Sequence, residues 1–219
     1  MSTSTLHIDF VSDISCPWCA IGLSALEQAL ERVKDQVTVT MSFQPFELNP
    51  KMPAGGQDVT EHLTQKYGST PQQQEQIREN IRARGAELGF DFRKEGRGRI
   101  YNTFDAHRLL HWAAIEGAAG QQHALKKALL GAYFTDGQSP ESHDVLLATV
   151  ASVGLDAERA RAILASDEFT QDVRREQSHY LSAGINSVPA VIINNKHLIS
   201  GGQPVEVFEQ ALRKIAAAA

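Results

Sequence analysis

Asp13-Ile14-Ser15-Cys16-Pro17-Trp18-Cys19-Ala20-Ile21-Gly22 holds both cysteines of the 219-residue chain, with two residues between them. The stretch before it, Leu6-His7-Ile8-Asp9-Phe10-Val11, is apolar and β-branched in its second half and reads as a strand. After it, Ala20, Ile21, Leu26, Leu30 and Val33 recur at helical spacing and predict a helix over residues 17–33. A strand that runs into Cys-x-x-Cys and on into a helix is the setting in which this spacing reads as a redox motif.

The chemistry follows from that placement. Proline suits the first helical turn, where a missing N–H costs nothing, so Pro17 makes Cys16 the expected N-cap. Its sulfur then faces unpaired backbone N–H groups and the positive end of the helix dipole, which favours thiolate over thiol. Cys19, about one turn further in, is placed to attack a mixed disulfide formed on Cys16. Cys16 is therefore the expected nucleophile and Cys19 the resolving thiol. The competing reading is half of a zinc site. No second Cys-x-x-Cys exists, and only His107 and His111 pair at i, i+4 to complete four ligands, so no metal is expected.

Bulk composition narrows the classes. The chain is 42% hydrophobic and 21% charged, as in an ordinary globular protein. Its net charge of −5 (21 basic against 26 acidic side chains), with no long basic run, argues against nucleic acid as a partner. No apolar stretch approaches the ~18 residues of a membrane span. Met1-Ser2-Thr3-Ser4-Thr5 has neither a positive nor an apolar leader segment, so the expected compartment is the cytoplasm. Disulfides there are usually transient and catalytic.

Val37 to Phe43 alternates like a second strand, parallel to the first across the intervening helix. The segment from Phe46 to Gly56 is rich in proline and glycine and reads as loop, with Phe46 and Leu48 partly buried. From Val59 to about Ala183 nothing reads as a strand. Helices are expected over 59–67, 71–88, 103–116, 121–134, 143–153, 157–165 and 168–183, punctuated by Gly68, Gly89, Gly117, Gly120, Gly137, Gly154 and Gly184. Thr70, Ser142 and Asp156 are expected caps or first-turn signals. The basic run 93–99 reads as a mobile, solvated loop, with an anion clamp as the lesser alternative. Ala190 to Asn194 and His197 to Ser200 form an expected hairpin. A last helix over 204–216 and a frayed alanine tail follow. The fold class is α/β: a βαβ…ββα core from residues 1–56 and 184–219, with a long all-helical insertion, 57–183, between its second and third strands.

The motif stretch resembles the active-site segment of the DsbA-like thioredoxin-fold oxidoreductases, specifically the FrnE-like branch. Three further stretches are similar: Gln44-Pro45-Phe46-Glu47-Leu48-Asn49-Pro50, Asn102-Thr103-Phe104-Asp105-Ala106-His107-Arg108, and Gly184-Ile185-Asn186-Ser187-Val188-Pro189-Ala190-Val191. The resemblance implies a thioredoxin-like core and a cis peptide bond at Pro189, facing the cysteines. Val188 would then offer its backbone to an extended substrate. The loop carrying Phe46 would lie beside the active site, making Phe46 a candidate substrate contact.

Trp18 reads as an exposed apolar surface for substrate, with packing against the insertion as the alternative. His107 either ties the insertion to the core or stands near Cys16, where an imidazolium would favour thiolate; His111 is expected to pack. Asp9 and Asp13 both remain candidates for a buried acid behind the motif.

The expected function is thiol–disulfide exchange of the oxidoreductase or isomerase type, on a disulfide- or thiol-containing protein or small molecule. It needs no cofactor beyond the cysteine pair, with glutathione as a possible co-substrate. The direction of use, the substrate and the oligomeric state stay open. The rival class is a glutathione-dependent transferase or isomerase. Kappa-class glutathione transferases and hydroxychromene-carboxylate isomerases are similar in layout, and Ser200-Gly201-Gly202-Gln203 could contact a γ-glutamyl group. Those families carry serine where Cys16 stands, which disfavours them here.

Overall fold

The computed structural model describes residues 4–218. Met1–Thr3 of the N-terminal segment and Ala219 of the alanine tail lie outside that range. Strand β1 (Ser4–Ser12) runs into the motif, α1 (Pro17–Val33) follows, and β2 (Val37–Pro45) returns parallel to β1 in the register Ser4↔Val37 to Ser12↔Pro45. Two residues longer than expected, β2 carries Gln44 and Pro45 level with the end of β1.

The chain then leaves the sheet through β3 (Gln57–Asp58), α2 (Val59–Tyr67), α3 (Pro71–Glu87), β4 (Arg99–Ile100), α4 (Phe104–Glu116), α5 (Gln121–Phe134), α6 (His143–Ser152), α7 (Ala157–Leu164) and α8 (Thr170–Ser182). It comes back as β5 (Ala190–Ile193), antiparallel to β1, then β6 (His197–Ser200), and ends in α9 (Val205–Ala217). The main sheet has the order β2-β1-β5-β6. This is a thioredoxin-like core with a helical insertion.

Why β1 is central is legible in its side chains. Leu6, Ile8 and Phe10 meet the apolar faces of α1 and α9, where Ile21, Leu26, Phe208 and Leu212 are buried with them. Val11 lies in a second cluster with Phe46, Tyr180 and Ile185. From Ile8 to Ser12 both faces are covered and the strand shows no alternation, whereas Thr5 and His7 still turn outward on either side of Leu6. Each such fully buried side chain contributes about 1.5–3 kcal/mol.

The insertion has an apolar core of its own, which includes Leu109, Trp112, Leu129, Leu146, Val150 and Ile163. Ile14, from the turn before Cys16, is buried in it, whereas Cys16 and Cys19 belong to the sheet-side core. The motif therefore sits on the seam between the two. Helix α5 also bridges the seam: Leu125 and Leu129 face the insertion, and Leu130, Tyr133 and Phe134 face the sheet.

Three local expectations need correction. Residues 57–58 and 99–100 form a two-residue antiparallel ribbon inside the segment expected to lack strands. Pairs this short carry no alternation to read; the Arg99 side chain fixes the ribbon by donating to Gly55 O at 2.9 Å and Gly56 O at 2.8 Å. Second, the 93–99 segment is held rather than mobile: Arg93 N–H donates to Phe134 O and Val59 N–H to Gly98 O, both at 3.0 Å. Third, Ser142 stands at the N-cap of α6 as expected, but its side chain makes no cap bond there. Thr70 with Gln73 forms a capping box on α3, Asp156 caps α7, and Asp58 caps α2. Among the described residues no helix is long and apolar enough to cross a membrane.

Candidate active site

Cys16 is the N-cap of α1 and Pro17 its first residue. The Cys16 residue is 4% exposed, its Sγ 3.6 Å from Val188 O; Cys19 is fully buried beneath it, and both are free thiols. The Cys16 thiol is held below the usual value, first by the hydrogen bond from the Cys19 thiol. Burial opposes this, the Cys19 backbone N–H and the Arg97 charge assist, and the Asp13 charge counteracts. Cys19 is pushed well above the usual value, chiefly by burial and then by its neighbour Cys16. The two sulfurs are thus differentiated into an acidic outer thiol and a reluctant inner one.

Of the two candidate acids, Asp13 stands behind the motif. Its carboxylate is fully buried and accepts from Ser15 N–H (3.1 Å), Ser15 Oγ (2.8 Å), Leu48 N–H (2.7 Å) and Thr103 Oγ1 (2.8 Å). Burial alone would raise its pKa. The neighbouring His107, with Leu48 N–H and Ser15, outweighs that and holds it at about 2. Asp9 instead accepts from Gln44 Nε2 at 2.7 Å and pairs with His7 at 3.4 Å.

His107 is 2% exposed, and its Nε2 lies 3.0 Å from Phe46 O, so this nitrogen carries the proton and donates. The same nitrogen is 3.6 Å from Asp13 Oδ1, beyond hydrogen-bond reach yet close enough for charge to be felt. His107 ties the insertion to the loop after β2 and does not line the cleft. His111 pairs with Glu176 at 3.1 Å. Among the described residues, no group of three or more His, Cys, Asp and Glu could hold a metal ion.

A cleft of about 600 Å³ opens in front of Cys16, lined among others by Trp18, Phe46, Leu48, Arg97 and Val188. Four of the expected site residues, Cys16, Trp18, Phe46 and Val188, therefore meet at one opening. Trp18 is half-buried rather than exposed, with the Arg84 guanidinium of α3 5.8 Å from its ring centre. Gln203 is turned away: its Nε2 donates to Ser200 O at 2.8 Å, closing the turn before α9.

The Val188–Pro189 bond is cis, and Pro189 is buried against α1. A Cβ on Gly22 would come within 3.0 Å of Pro189 Cγ and 3.3 Å of Gly202 Cα. Glycine here lets α1 approach the segment that faces Cys16. Gly22→Ala is expected to cost about 1–3 kcal/mol of stability through overpacking. It should also slow thiol chemistry by displacing Val188; urea unfolding and an activity assay read the two effects separately.

Two residues near the cysteines escaped the sequence reading. Arg97, from the supposedly solvated loop, donates from Nη1 to Ser15 O at 2.5 Å and lies over Phe134 at 6.0 Å. Lys126, on α5 at the seam, is fully buried, and its Nζ has no hydrogen-bond partner among the described residues. Burial lowers its pKa to about 8, opposed by the charges of Cys19, Asp13 and Cys16. Its signal was present: residues 126, 129, 130 and 133 share one helical face, three of them apolar.

With this geometry in place, comparison with known proteins fixes the class. Residues 7–213 match the family model of the DSBA-like thioredoxin domain, and the chain belongs to that family. It is 33% identical to a probable DsbA oxidoreductase from Streptomyces coelicolor, over 97% of this chain and 90% of that one, with a TM-score of 0.89. The protein YwbO of Bacillus subtilis, whose function is uncharacterized, is 28% identical over 95% of this chain and 96% of its own length. The cytosolic disulfide reductase DsbM from Pseudomonas aeruginosa, solved with GSH, is 17% identical (TM-score 0.64, 96% of this chain, 98% of that one) and shares the fold. So does a 2-hydroxychromene-2-carboxylate isomerase at 13% identity (TM-score 0.73, 95% of each chain).

Proposed function

We propose that the protein is a thiol–disulfide oxidoreductase in which Cys16 attacks and Cys19 resolves. The observation that carries this reading is the pairing of an acidified sulfur at the tip of α1 with a fully buried second thiol beneath it. The Cys16 thiolate attacks one sulfur of a substrate disulfide. A Cys16–substrate disulfide forms, the old S–S bond breaks, and the leaving sulfur departs as thiolate and takes up a proton. Val188, whose carbonyl already faces Cys16, supports the mixed disulfide along its backbone. Cys19 then loses its proton and attacks Cys16 Sγ, releasing the second substrate thiol and leaving the Cys16–Cys19 disulfide.

Two electrons pass from the cysteine pair to the substrate, and no prosthetic group takes part. Run in reverse, the same steps oxidise a substrate dithiol. Continued reduction requires a thiol reductant to reopen the pair, and glutathione, the molecule solved with DsbM, is the one we propose. The proposed compartment is the cytoplasm, where such disulfides are transient.

Cys16→Ser is expected to abolish insulin-disulfide reduction in the presence of dithiothreitol. Cys19→Ser should stall as a mixed disulfide, visible by mass spectrometry. Alkylation by iodoacetamide should show Cys16 titrating below the ~8.5 of a free thiol. Wild-type turnover by Cys16→Ser rules the assignment out.

A further inference from the structure

Beside the cleft lies a second cavity of about 230 Å³, between α2, α3, the 92–97 segment and Pro17. The two spaces are continuous, since Pro17, Leu63, Arg78 and Arg97 line both. Four arginines line this cavity, Arg78, Arg82, Arg93 and Arg97, against one acidic residue, Glu75. A local excess of three positive charges on a chain of net charge −5 runs against the overall balance.

The existing partners do not saturate these groups. Arg78 pairs with Glu75 of its own helix, and Arg93 reaches Glu95 at 3.5 Å, a carboxylate 70% exposed and screened by water. Arg82 forms no ion pair among the described residues, and the Arg78 Nε–H is shielded from solvent with no acceptor among them. Between the charges the wall is apolar, from Val59, Leu63, Ile81 and Phe134. Gly96, at φ 73°, lets the loop close on this wall; a Cβ there would meet Arg78 Cδ at 3.2 Å.

Resting on the exchange chemistry above, we infer that this cavity receives the anionic end of a small disulfide substrate. That end carries carboxylate or phosphate on an apolar body, and its sulfurs reach Cys16 through the shared wall. A partly open space of this size, about 230 Å³, fits a compact anionic group rather than a run of peptide backbone, and guanidinium forks match both oxyanion types. The redox step is the one already balanced; the arginines supply binding and orientation only.

The test compares wild type with Arg82→Gln and Arg78→Gln on two disulfides. One is dianionic and aromatic, 5,5′-dithiobis(2-nitrobenzoate); the other is neutral, 2-hydroxyethyl disulfide. Each variant is expected to lose roughly ten-fold or more in kcat/KM on the dianion, the effect of one charge-assisted hydrogen bond. Turnover of the neutral disulfide should be unchanged in Arg82→Gln, whose side chain lies outside the Cys16 cleft, which also shows that this variant folds. Isophthalate and inorganic pyrophosphate should each compete with the dianion, the stronger inhibitor identifying the headgroup. Equal effects on both disulfides, or competition by neither anion, overturns the inference. Failure of wild type to reduce either disulfide instead overturns the exchange reading beneath it.

Discussion

Asp13→Ala is expected to lower the unfolding free energy by about 3–5 kcal/mol at pH 7. Its carboxylate is the acceptor for two backbone N–H groups, Ser15 and Leu48, and two hydroxyls, Ser15 and Thr103, all at 2.7–3.1 Å with no solvent access. Alanine leaves at least the two amide donors buried without a partner, at about 1–3 kcal/mol each. That is a large share of a total stability of about 5–15 kcal/mol. The carboxyl also sets a pH dependence. Its folded pKa of about 2 lies below the ordinary 3.8, so its stabilisation is fully present above pH 4. It is lost as pH falls from about 4 through 2, by roughly 2 kcal/mol. Urea denaturation at pH 7 and at pH 3 measures both effects; equal midpoints for wild type and variant at pH 7 refute the role.

Lys126→Met is expected to do the opposite to stability and to harm the chemistry. A fully buried ammonium without a hydrogen-bond partner is costly, and its pKa of about 8 against 10.5 in the unfolded chain records that cost. The unfolded state binds more protons between those values, so the wild-type contribution improves as pH rises from about 8 to 10.5. Below pH 8 the full penalty, roughly 3 kcal/mol, is in force and methionine removes it. The variant should therefore be more stable than wild type at pH 7, with the gap closing toward pH 10.5. The Lys126 charge also lowers the pKa of Cys19. Without it, Cys19 ionises later and resolution slows, so the mixed disulfide should accumulate while the first attack on Cys16 keeps its rate. A variant stabilised equally at pH 7 and 10.5, with unaltered resolution, refutes both halves.

The core could be read from the sequence because its signals are local. Pro17 after an N-capping Cys16, the β-branched strands, and glycines at helix ends each act within a few residues. What could not be read depends on distant partners. Asp9 and Asp13 are indistinguishable until Leu48 and Thr103 arrive, 35 and 90 residues along the chain. Arg97 looked solvated because loop charges usually are, and only its bond to Ser15 O, 82 residues away, draws it to the cysteines. Trp18 looked exposed for want of a visible neighbour, which α3 supplies through Arg84. Lys126 stands beside a second lysine, and only its spacing from 129, 130 and 133 marks its face of α5 as apolar.

The register of β1 has a consequence for how such a molecule can change over time. Pro45, where the chain departs, lies opposite Ser12, and Ala190, where it re-enters, lies opposite Val11. Departure and re-entry thus flank the same tip of the middle strand, immediately before the cysteines. A shift in the excursion's tilt reaches the mouth of the cleft without passing through the sheet. The helices of the excursion can thereby be lengthened or exchanged, and the mouth of the cleft reshaped with them, while the cysteine pair stays where β1 ends.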